Sequence, residues 1–273
     1  MTYYFHGDRK LYFEHQRLNA SRYVIPFIDQ CYPLANGCRV LEVGCGEGGV
    51  LKAFVDRGCI GTGVELDEDK LNYARSFLRD DIDRKSITLL ANNIFDGQLD
   101  DQFRFGFNLI VLKDVIEHIQ DRESLLRKLN SFLRPDGRIY LGFPPLQMPF
   151  GGHQQMCTNR LLSRTPYFHL IPASLYRAVL KLFGERPEVI DGLLEVKKAG
   201  LSIEEFERIV RAAGYEIANR RFYLVNPIYE FKFKLRPRPQ FRLISGMPYV
   251  RNFVTTCAYY LIRPGVADPV SSP

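Results

Sequence analysis

A run of apolar residues that ends in glycines constrains the fold of this chain most strongly. Residues Arg39 to Gly49 read RVLEVGCGEGG, a pattern typical of a buried strand, a tight turn and the start of a helix. Such a turn brings backbone amides close to a phosphate- or nucleoside-bearing ligand. The glycines alone do not identify this ligand. Gly44, Gly46 and Gly49 have the spacing of the dinucleotide-binding motif G-x-G-x-x-G, whereas Gly44, Gly46 and Gly48 have the spacing of a different glycine motif.

Strands and helices are predicted to alternate from this turn onwards. The predicted strands are CRVLEV, CIGTGVEL, SITLLA, FNLIVLKDV and GRIYLGF, and the predicted helices are Glu47–Asp56, Asp67–Arg79 and Arg122–Leu133. Continuously apolar strands separated by helices are typical of a parallel sheet that is covered on both faces. The sequence therefore predicts a doubly wound, mostly parallel α/β sheet.

The two ends of the chain have different patterns. Phe13 to Cys31 is predicted to be helical with a break at Pro26. Near the other end, a helix begins at the cap Ser202 and stops at Gly214. The segments EIANRRFYLVNP, IYEFKFKL and FVTTCAYYLI then resemble strands. Because no helices join these segments, we expect an antiparallel last strand and seven strands in all.

The chain is predicted to be a single domain, residues 1–273, with four parts. These are an N-terminal helical cap at 1–36, a cofactor-binding core at 37–145, a helical lid or substrate insertion at 146–200, and the C-terminal part of the core at 201–265. The insertion is too long for a simple connection and is rich in Pro, Gly, His and aromatic residues. Helices are predicted within it at Ala173–Phe183 and Glu188–Ala199.

Composition is that of an ordinary globular protein, with 46% hydrophobic and 25% charged residues. No run of 18 apolar residues is present, and the first residues lack the apolar core of a secretory signal. The six cysteines show no CxxC pair, which favours free thiols. We therefore expect a cytoplasmic protein.

Positive charge is concentrated near the end of the chain. Between Gly214 and Arg263 there are nine Lys or Arg residues but only two acidic residues, Glu216 and Glu230. Such a flank could meet nucleic acid, anionic lipid or an acidic substrate. We interpret it instead as a solvated edge that prevents strands from aggregating.

Acidic and amide residues help to choose between two cofactor classes: a dinucleotide, which carries a pyrophosphate, and a nucleoside that carries an ammonium and a sulfonium group. Glu65, at the end of the second strand, could hold ribose hydroxyls in either class. Glu42 lies two residues before the first glycine, where a carboxylate would be costly beside a pyrophosphate but favourable beside an ammonium or sulfonium. Asn93 could bond an adenine amino group, and Asp114 follows the fourth strand, where ligands bind in such sheets.

Taken in order, VLEVGCGEGG, GTGVELDEDK, NNIFDG, FNLIVLKDVIEH and PDGRIYLGFP resemble the successive motifs of class I S-adenosylmethionine-dependent methyltransferases. The resemblance covers about residues 38 to 144. It implies a Rossmann-like fold, S-adenosyl-L-methionine as cofactor and S-adenosyl-L-homocysteine as product. The implied contacts are Gly44 and Gly46 under the methionine moiety, Glu42 near its amino group, Glu65 on the ribose, Leu66 against the adenine, and Asn93 with Ile94 at the adenine edge.

Two histidines are candidates for the chemistry of transfer. A hydroxyl acceptor needs a base, and His118 and His153 are expected near the ends of the fourth and fifth strands. The segment Asp114-x-x-Glu117-His118 also resembles that of the ubiquinone-biosynthesis type O-methyltransferases, where it can hold a divalent metal. We do not favour a metal for this chain and assign no metal ligand.

Aromatic residues in the N-terminal segment and the insertion are expected to line an acceptor pocket or to pack within a lid core. An aromatic lining suits a small molecule, so the sequence predicts methylation of a small-molecule acceptor, most readily at oxygen. The alternatives are a lipid or glycan intermediate, RNA, a cofactor-binding protein without turnover, and a NAD-dependent oxidoreductase. We expect no nucleic-acid partner. Peripheral membrane contact and the oligomeric state stay open.

Overall fold

The predicted apolar strands form the centre of one eight-stranded sheet. The computed structural model describes residues 8–265 of the chain, and every structural statement below refers to those residues. The strands are β1 (Arg39–Val43), β2 (Ile60–Glu65), β3 (Ile87–Ala91), β4 (Phe107–Lys113), β5 (Leu133–Phe143), β6 (Tyr215–Val225), β7 (Arg238–Pro239) and β8 (Cys257–Pro264). Their order across the sheet is β3-β2-β1-β4-β5-β8-β6-β7.

Strand directions confirm the predicted mostly parallel sheet with an antiparallel last strand. Neighbouring strands from β1 to β5 pair in parallel, for example with Val40 opposite Leu109, whereas β8 runs antiparallel to both β5 and β6. The sheet has one strand more than the seven expected, because the two residues of β7 pair with the edge of β6. The strand order reverses between β1 and β4, and ligands bind at such a point.

Thirteen α-helices are present in residues 8–265. They are α1 (Arg9–Asn19), α2 (Ile25–Asp29), α3 (Gly49–Asp56), α4 (Glu68–Phe77), α5 (Arg79–Asp83), α6 (Gln98–Phe103), α7 (Arg122–Phe132), α8 (Ala173–Leu182), α9 (Pro187–Ala199), α10 (Ile203–Ala212), α11 (Tyr229–Phe233), α12 (Arg242–Ser245) and α13 (Val250–Val254). The side chain of Ser202 caps α10 as expected, since its hydroxyl accepts from the Glu205 amide at 3.1 Å. None of the described helices has the length and apolarity needed to cross a membrane.

The N-terminal helical segment is more continuous than the sequence suggested. A π-helical turn, Ala20–Val24, joins α1 to α2, and the predicted break at Pro26 is absent. Pro26 lies in the first turn of α2, directly after this π-helical turn.

One predicted strand is wrong. The segment IYEFKFKL contains α11 instead. Tyr229 and Phe233 are four residues apart on this helix, and their rings contact at a centroid distance of 5.2 Å. The alternation of aromatic and basic residues indicated a strand, but the same residues also place aromatic side chains at helical spacing.

Helices cover both faces of the sheet. On one face, Val24 and Phe27 of the N-terminal segment pack against Tyr140 of β5 and Tyr259 of β8. On the other face, α7 and α10 pack on the sheet through Leu129 and Phe206, among others. The insertion after β5 has a small apolar core of its own, formed by Cys157, Leu162, Tyr176, Leu180, Ile190 and Leu193.

Helix α1 approaches the backbone of α3 at a glycine. A Cβ atom added to Gly49 would lie 2.3 Å from the carbonyl oxygen of Phe13 and 2.9 Å from Cβ of Gln16. The first contact is with backbone, so a side chain could be accommodated only if α1 moved. Gly49 therefore lets the N-terminal helix lie directly against the start of α3.

We expect Gly49→Ala to lower the free energy of unfolding by about 1–3 kcal/mol, the usual cost of forcing atoms into a packed interface. Urea denaturation measures this change. The control is Gly192→Ala in α9, where an added Cβ meets nothing within 4 Å. That variant should be neutral, or more stable by up to about 1 kcal/mol, because alanine favours helix more than glycine does. Equal effects of the two substitutions would contradict the close approach.

Candidate active site

A cavity of about 270 Å³ opens at the carboxyl ends of β1, β2 and β4. It lies where the strand order reverses, and the N-terminal helix α1 covers one side of it. The residues that line it are Arg9, Tyr12, Phe13, Gln16, Glu42, Gly44, Cys45, Gly46, Glu47, Gly49, Val50, Glu65, Lys70, Lys113 and Asp114. Five of the residues expected to bind the cofactor or to lie near it therefore surround one space: Glu42, Gly44, Gly46, Glu65 and Asp114.

The glycine turn forms the floor of this cavity. Gly44 has a φ of +70°, and a Cβ there would come within 2.6 Å of a Val115 methyl group. Gly46 also has a positive φ, +52°, but a Cβ there would meet no atom within 4 Å. Gly48 adopts φ +82°, so α3 begins after it and not at the expected Glu47. The turn thus exposes bare backbone next to open space at Gly46.

Glu65 organises the rim of the cavity. One of its carboxylate oxygens accepts from the Gly46 amide at 2.8 Å. The other accepts from the amides of Leu66 and Asp67 at 2.9 and 3.0 Å. These bonds tie the end of β2 to the glycine turn. They also fix the orientation of a carboxylate that can still accept hydrogen bonds from ligand hydroxyls through its remaining lone pairs.

Glu42 is buried in the cavity wall, with only 3% of its surface exposed. Its Oε2 has no hydrogen-bond partner among the described residues. Burial raises the pKa of this carboxyl to about 8, although the nearby charge of Lys113 acts in the opposite direction. A buried acidic group with an unpaired oxygen is unstable unless a partner satisfies it. Glu42 therefore presents an acceptor that suits a cationic donor.

Lys113 and Asp114 form an ion pair at the end of β4, with 2.5 Å between Nζ and Oδ2; the Lys113 side chain is buried, and that of Asp114 is 42% exposed. Burial alone would lower the pKa of Lys113, but the charge of Asp114 and its hydrogen bond with Nζ outweigh this effect and raise that pKa. Asp114 adopts a φ of +57°, which is unusual outside glycine. The sharp bend directs the chain from the strand into the turn that carries His118.

His118 and His153 lie close together, with ring centroids 5.5 Å apart and the rings edge to face. Burial lowers the pKa of both histidines. The pKa of His153 falls to about 4, because the nearby charge of His118 adds to the effect of burial. The charge of Asp114 raises both values and so reduces these shifts. His118 Nε2 is 3.9 Å from an oxygen of Glu117, whose own pKa burial raises.

A second, much smaller cavity, of about 10 Å³, is lined by this histidine pair and by further residues of the insertion. Its lining residues are Glu117, His118, Pro144, Leu146, Gly151, His153, Val196, Gly200 and Leu201. The buried oxygen Oε2 of Glu117 has no hydrogen-bond partner among residues 8–265. The same loop, Asp114 to His118, thus lines both cavities. Asp114 lines the large one, and Glu117 and His118 line the small one.

Three residues expected at the adenine do not line the large cavity. Leu66 is 71% exposed beside Glu65, while Ile94 is buried in the main apolar core. Asn93 is exposed, and its side-chain oxygen already accepts from the Phe95 amide at 3.0 Å. Their assignment to the adenine stays a prediction.

Aromatic residues of the insertion serve its own packing, one of the two roles expected for them. Tyr176 is fully buried and contacts Phe168 at a centroid distance of 4.8 Å. His169 is also buried, and its Nε2 lies 2.6 Å from the carbonyl oxygen of Leu146. From the N-terminal segment, by contrast, Tyr12 and Phe13 do line the large cavity.

Sequence reasoning missed Arg9, Gln16 and Lys113, although all three line the large cavity. Arg9 pairs with Glu47 of the glycine turn at 2.6 Å. The only signal for Lys113 was its place at the end of an otherwise apolar strand, next to Asp114. The described residues contain no cluster of three or more His, Cys, Asp and Glu side chains arranged to hold a metal ion.

The sheet order, the glycine turn and the acidic residue at the end of β2 together define a class I S-adenosylmethionine-dependent methyltransferase fold. Comparison with known families agrees, since residues 13–182 match a family described as methyltransferase domain. This match spans more than half of the chain, and the chain therefore belongs to the methyltransferase-domain family.

A curated relative is the ubiquinone biosynthesis O-methyltransferase of Stutzerimonas stutzeri (strain A1501). It is 29% identical over 119 residues, which cover 42% of this chain and 48% of the relative. The chain thus matches about half the length of such curated relatives.

Solved structures share the fold at low sequence identity. An S-adenosylmethionine-dependent methyltransferase from Mesorhizobium loti aligns with a TM-score of 0.54 and 17% identity, over 87% of this chain and 96% of that one. Phosphoethanolamine N-methyltransferase 2 from Haemonchus contortus, solved with S-adenosylhomocysteine, aligns with a TM-score of 0.54 and 14% identity. The alignment covers 88% of this chain and 52% of that one.

The large cavity fits S-adenosylmethionine, the cofactor of this family. The unpaired oxygen of Glu42 suits an α-ammonium group, and the open space at Gly46 leaves room for the methionine moiety. The fixed carboxylate of Glu65 suits ribose hydroxyls. A pyrophosphate would instead bring negative charge beside the buried carboxyl of Glu42, although Arg9, Lys70 and Lys113 also line the cavity.

Burial of Glu42 makes stability depend on pH. Its pKa is about 8 in the folded protein and 4.5 in a model compound, so between these values the unfolded chain releases a proton that the folded protein retains. The free energy of unfolding therefore falls as the pH rises from about 5 to about 8 and levels off above that.

Relative to Glu42→Gln, the wild type should lose about 3–4 kcal/mol of unfolding free energy over this interval. Urea denaturation of both proteins, without cofactor, at several pH values measures the difference. A difference that stays constant from pH 5 to pH 8 would show that Glu42 is not held protonated by burial.

Proposed function

We propose that this protein transfers the methyl group of S-adenosylmethionine to an oxygen atom of a small molecule. The observation that carries the proposal is the pair His118–His153: its rings lie 5.5 Å apart, and the charge of Asp114, a residue of the cofactor cavity, acts on the pKa of both. The sequence similarity to ubiquinone biosynthesis O-methyltransferases supports an oxygen acceptor. When bound, the cofactor supplies an electrophilic methyl group on a sulfonium.

In this proposal, residues of three strand ends hold the cofactor. The Glu42 carboxylate accepts hydrogen bonds from the α-ammonium group, and Gly44 and Gly46 let the methionine moiety approach the backbone. Glu65 accepts from the ribose hydroxyls. Leu66, Asn93 and Ile94 surround the adenine beyond the rim of the cavity, where the exposed side chain of Leu66 can cover one face of the ring.

His118 acts as the general base in this proposal. It must remove a proton from an acceptor hydroxyl whose pKa lies far above 7, about 10 for a phenol. Its imidazole is neutral at pH 7 because burial lowers its pKa, while Asp114 favours the imidazolium that forms on proton transfer. His153, with a pKa of about 4, stays neutral and orients the acceptor hydroxyl by a hydrogen bond.

The four predicted parts of the chain have separate roles in this account. Within the segment 1–36, Tyr12 and Gln16 close one side of the cofactor cavity, and 37–145 binds the cofactor. The insertion 146–200 supplies His153 and covers the acceptor side. The last part, 201–265, completes the sheet and holds the start of the insertion, since the Leu146 amide donates to the carbonyl oxygen of Leu201 at 2.9 Å.

Cofactor choice is testable by isothermal titration calorimetry. S-adenosylhomocysteine should bind to the purified protein, and NAD should not, because its pyrophosphate would lie beside the buried carboxyl of Glu42. Binding of NAD without binding of S-adenosylhomocysteine would overturn the proposed function in favour of an oxidoreductase.

Replacement of His118 tests the proposed base. We expect His118→Gln to lower kcat by a factor of about 10²–10⁴ on catechol, with unchanged affinity for S-adenosylhomocysteine. The loss should shrink on nitrocatechol, whose more acidic hydroxyl ionises without a base. In the wild type, kcat should fall only at a pH below the ordinary histidine value of about 6.5, because burial lowers the pKa of His118.

A matched control is His15→Gln, an imidazole on α1 that lines neither cavity. Turnover by this variant should equal that of the wild type. A His118→Gln enzyme that retains full kcat on both catechols would remove this residue from the mechanism while leaving cofactor binding unaffected.

A further inference from the structure

A surface strap, defined here as residues 229–253, carries an unusual number of exposed apolar side chains. Eight of the nineteen large apolar side chains that are exposed within residues 8–265 belong to it. Leu243 is 80% exposed, Tyr249 70% and Phe241 63%. The full set is Phe233, Leu235, Phe241, Leu243, Met247, Tyr249, Val250 and Phe253. A concentration of this kind marks an interaction surface.

Positive charge accompanies these apolar side chains. The sequence contains no Asp or Glu from Phe231 to Ala267. Lys234, Arg236, Arg238 and Arg242 are all exposed. No carboxylate in the described part of the chain forms an ion pair with any of these four. The strap is therefore cationic and apolar at once.

The strap has a defined shape, because Glu204 of α10 holds one end of it. The carboxylate of Glu204 accepts from the Tyr249 amide and from Arg251 Nε, both at 2.9 Å, and from Asn252 Nδ2 at 2.5 Å. In the middle of the strap, Gln240 is buried, and its side chain donates to the carbonyl oxygen of Val254 at 2.8 Å. The buried anchors leave the apolar side chains between them on the outside.

We propose that the strap docks the protein on an anionic lipid membrane. Cationic side chains are attracted to anionic headgroups, while exposed leucine, methionine and aromatic side chains enter the boundary with the acyl chains. A second copy of the chain suits this surface poorly, because the exposed cations of two straps would repel one another. A nucleic acid suits it less well too, since only half of the eight exposed apolar side chains carry a ring on which a base could stack.

The strap borders the active site on one side and the insertion on the other. Lys232 Nζ lies 5.5 Å from the ring centroid of Tyr12, which lines the cofactor cavity. The Tyr167 hydroxyl of the insertion donates to the carbonyl oxygen of Phe253 at 2.9 Å. A docked strap therefore holds the cavity next to the interface. The proposal does not depend on which acceptor is methylated.

Sedimentation of the full chain with lipid vesicles tests this proposal. The wild type should bind vesicles of phosphatidylcholine mixed with phosphatidylglycerol, but not phosphatidylcholine alone, and added salt should weaken the binding. Arg236→Gln combined with Arg242→Gln should lower the partition coefficient about fivefold per removed cation. Phe241→Ser should lower it about tenfold or more.

Matched controls are available at the opposite end of the sheet. Phe105 is 60% exposed, so Phe105→Ser controls for Phe241→Ser. Arg104→Gln combined with Arg134→Gln controls for the loss of two exposed cations. Both control proteins should bind vesicles as the wild type does, and all variants should retain their affinity for S-adenosylhomocysteine.

Three results would overturn the proposal. They are a wild type that fails to bind the anionic vesicles, a loss of binding in the control variants equal to that in the strap variants, and strap-dependent binding of RNA or self-association without vesicle binding.

Discussion

The charge of the buried Glu42 determines what the site can hold. Burial alone drives this carboxyl towards its neutral form, and its pKa of about 8 means that the free protein holds it largely protonated below that pH. One of its oxygens has no partner among the described residues. Because a cationic ligand would restore the ionised form and satisfy that oxygen, the same residue both destabilises the free protein and favours a positively charged ligand.

The rest of the cavity depends on close approaches of backbone. Positive φ values at Gly44 and Gly46 bend the chain so that no side chain fills the space above the turn. Glu65 then ties the turn to the end of β2. The N-terminal helix α1 closes the remaining side, and it can do so only because Gly49 lacks a side chain. A segment that looks peripheral in sequence therefore belongs to the ligand site.

The sequence predicted the sheet well because buried parallel strands leave a strong local signal. Each apolar run between β1 and β5 could be recognised from its own residues, and the glycine turn marked the ligand end of the sheet. The segment IYEFKFKL was misinterpreted because its aromatic residues satisfy both a strand pattern and a helix pattern, and only tertiary packing decides between the two.

Contacts between distant segments could not be predicted. Arg9 meets Glu47 across 38 residues, and Glu204 holds residues of the strap more than 40 positions away. Lys113 belongs to no recognisable sequence motif, and its place in the cavity follows from the order of the strands alone. By contrast, Glu42 could be singled out from the sequence, because its position fixes the sign of the charge that faces the ligand.

Calorimetric titration of the wild type and of Glu42→Gln with two ligands tests the central claim most directly. The ligands are S-adenosylhomocysteine and its analogue that lacks the α-amino group. If Glu42 pairs with the ammonium, the substitution should weaken binding of S-adenosylhomocysteine by a factor of about 10–100 and leave the affinity for the analogue nearly unchanged. Equal losses for both ligands would contradict the account, because Glu42 would then act on the shape of the cavity and not on the charge of the ligand.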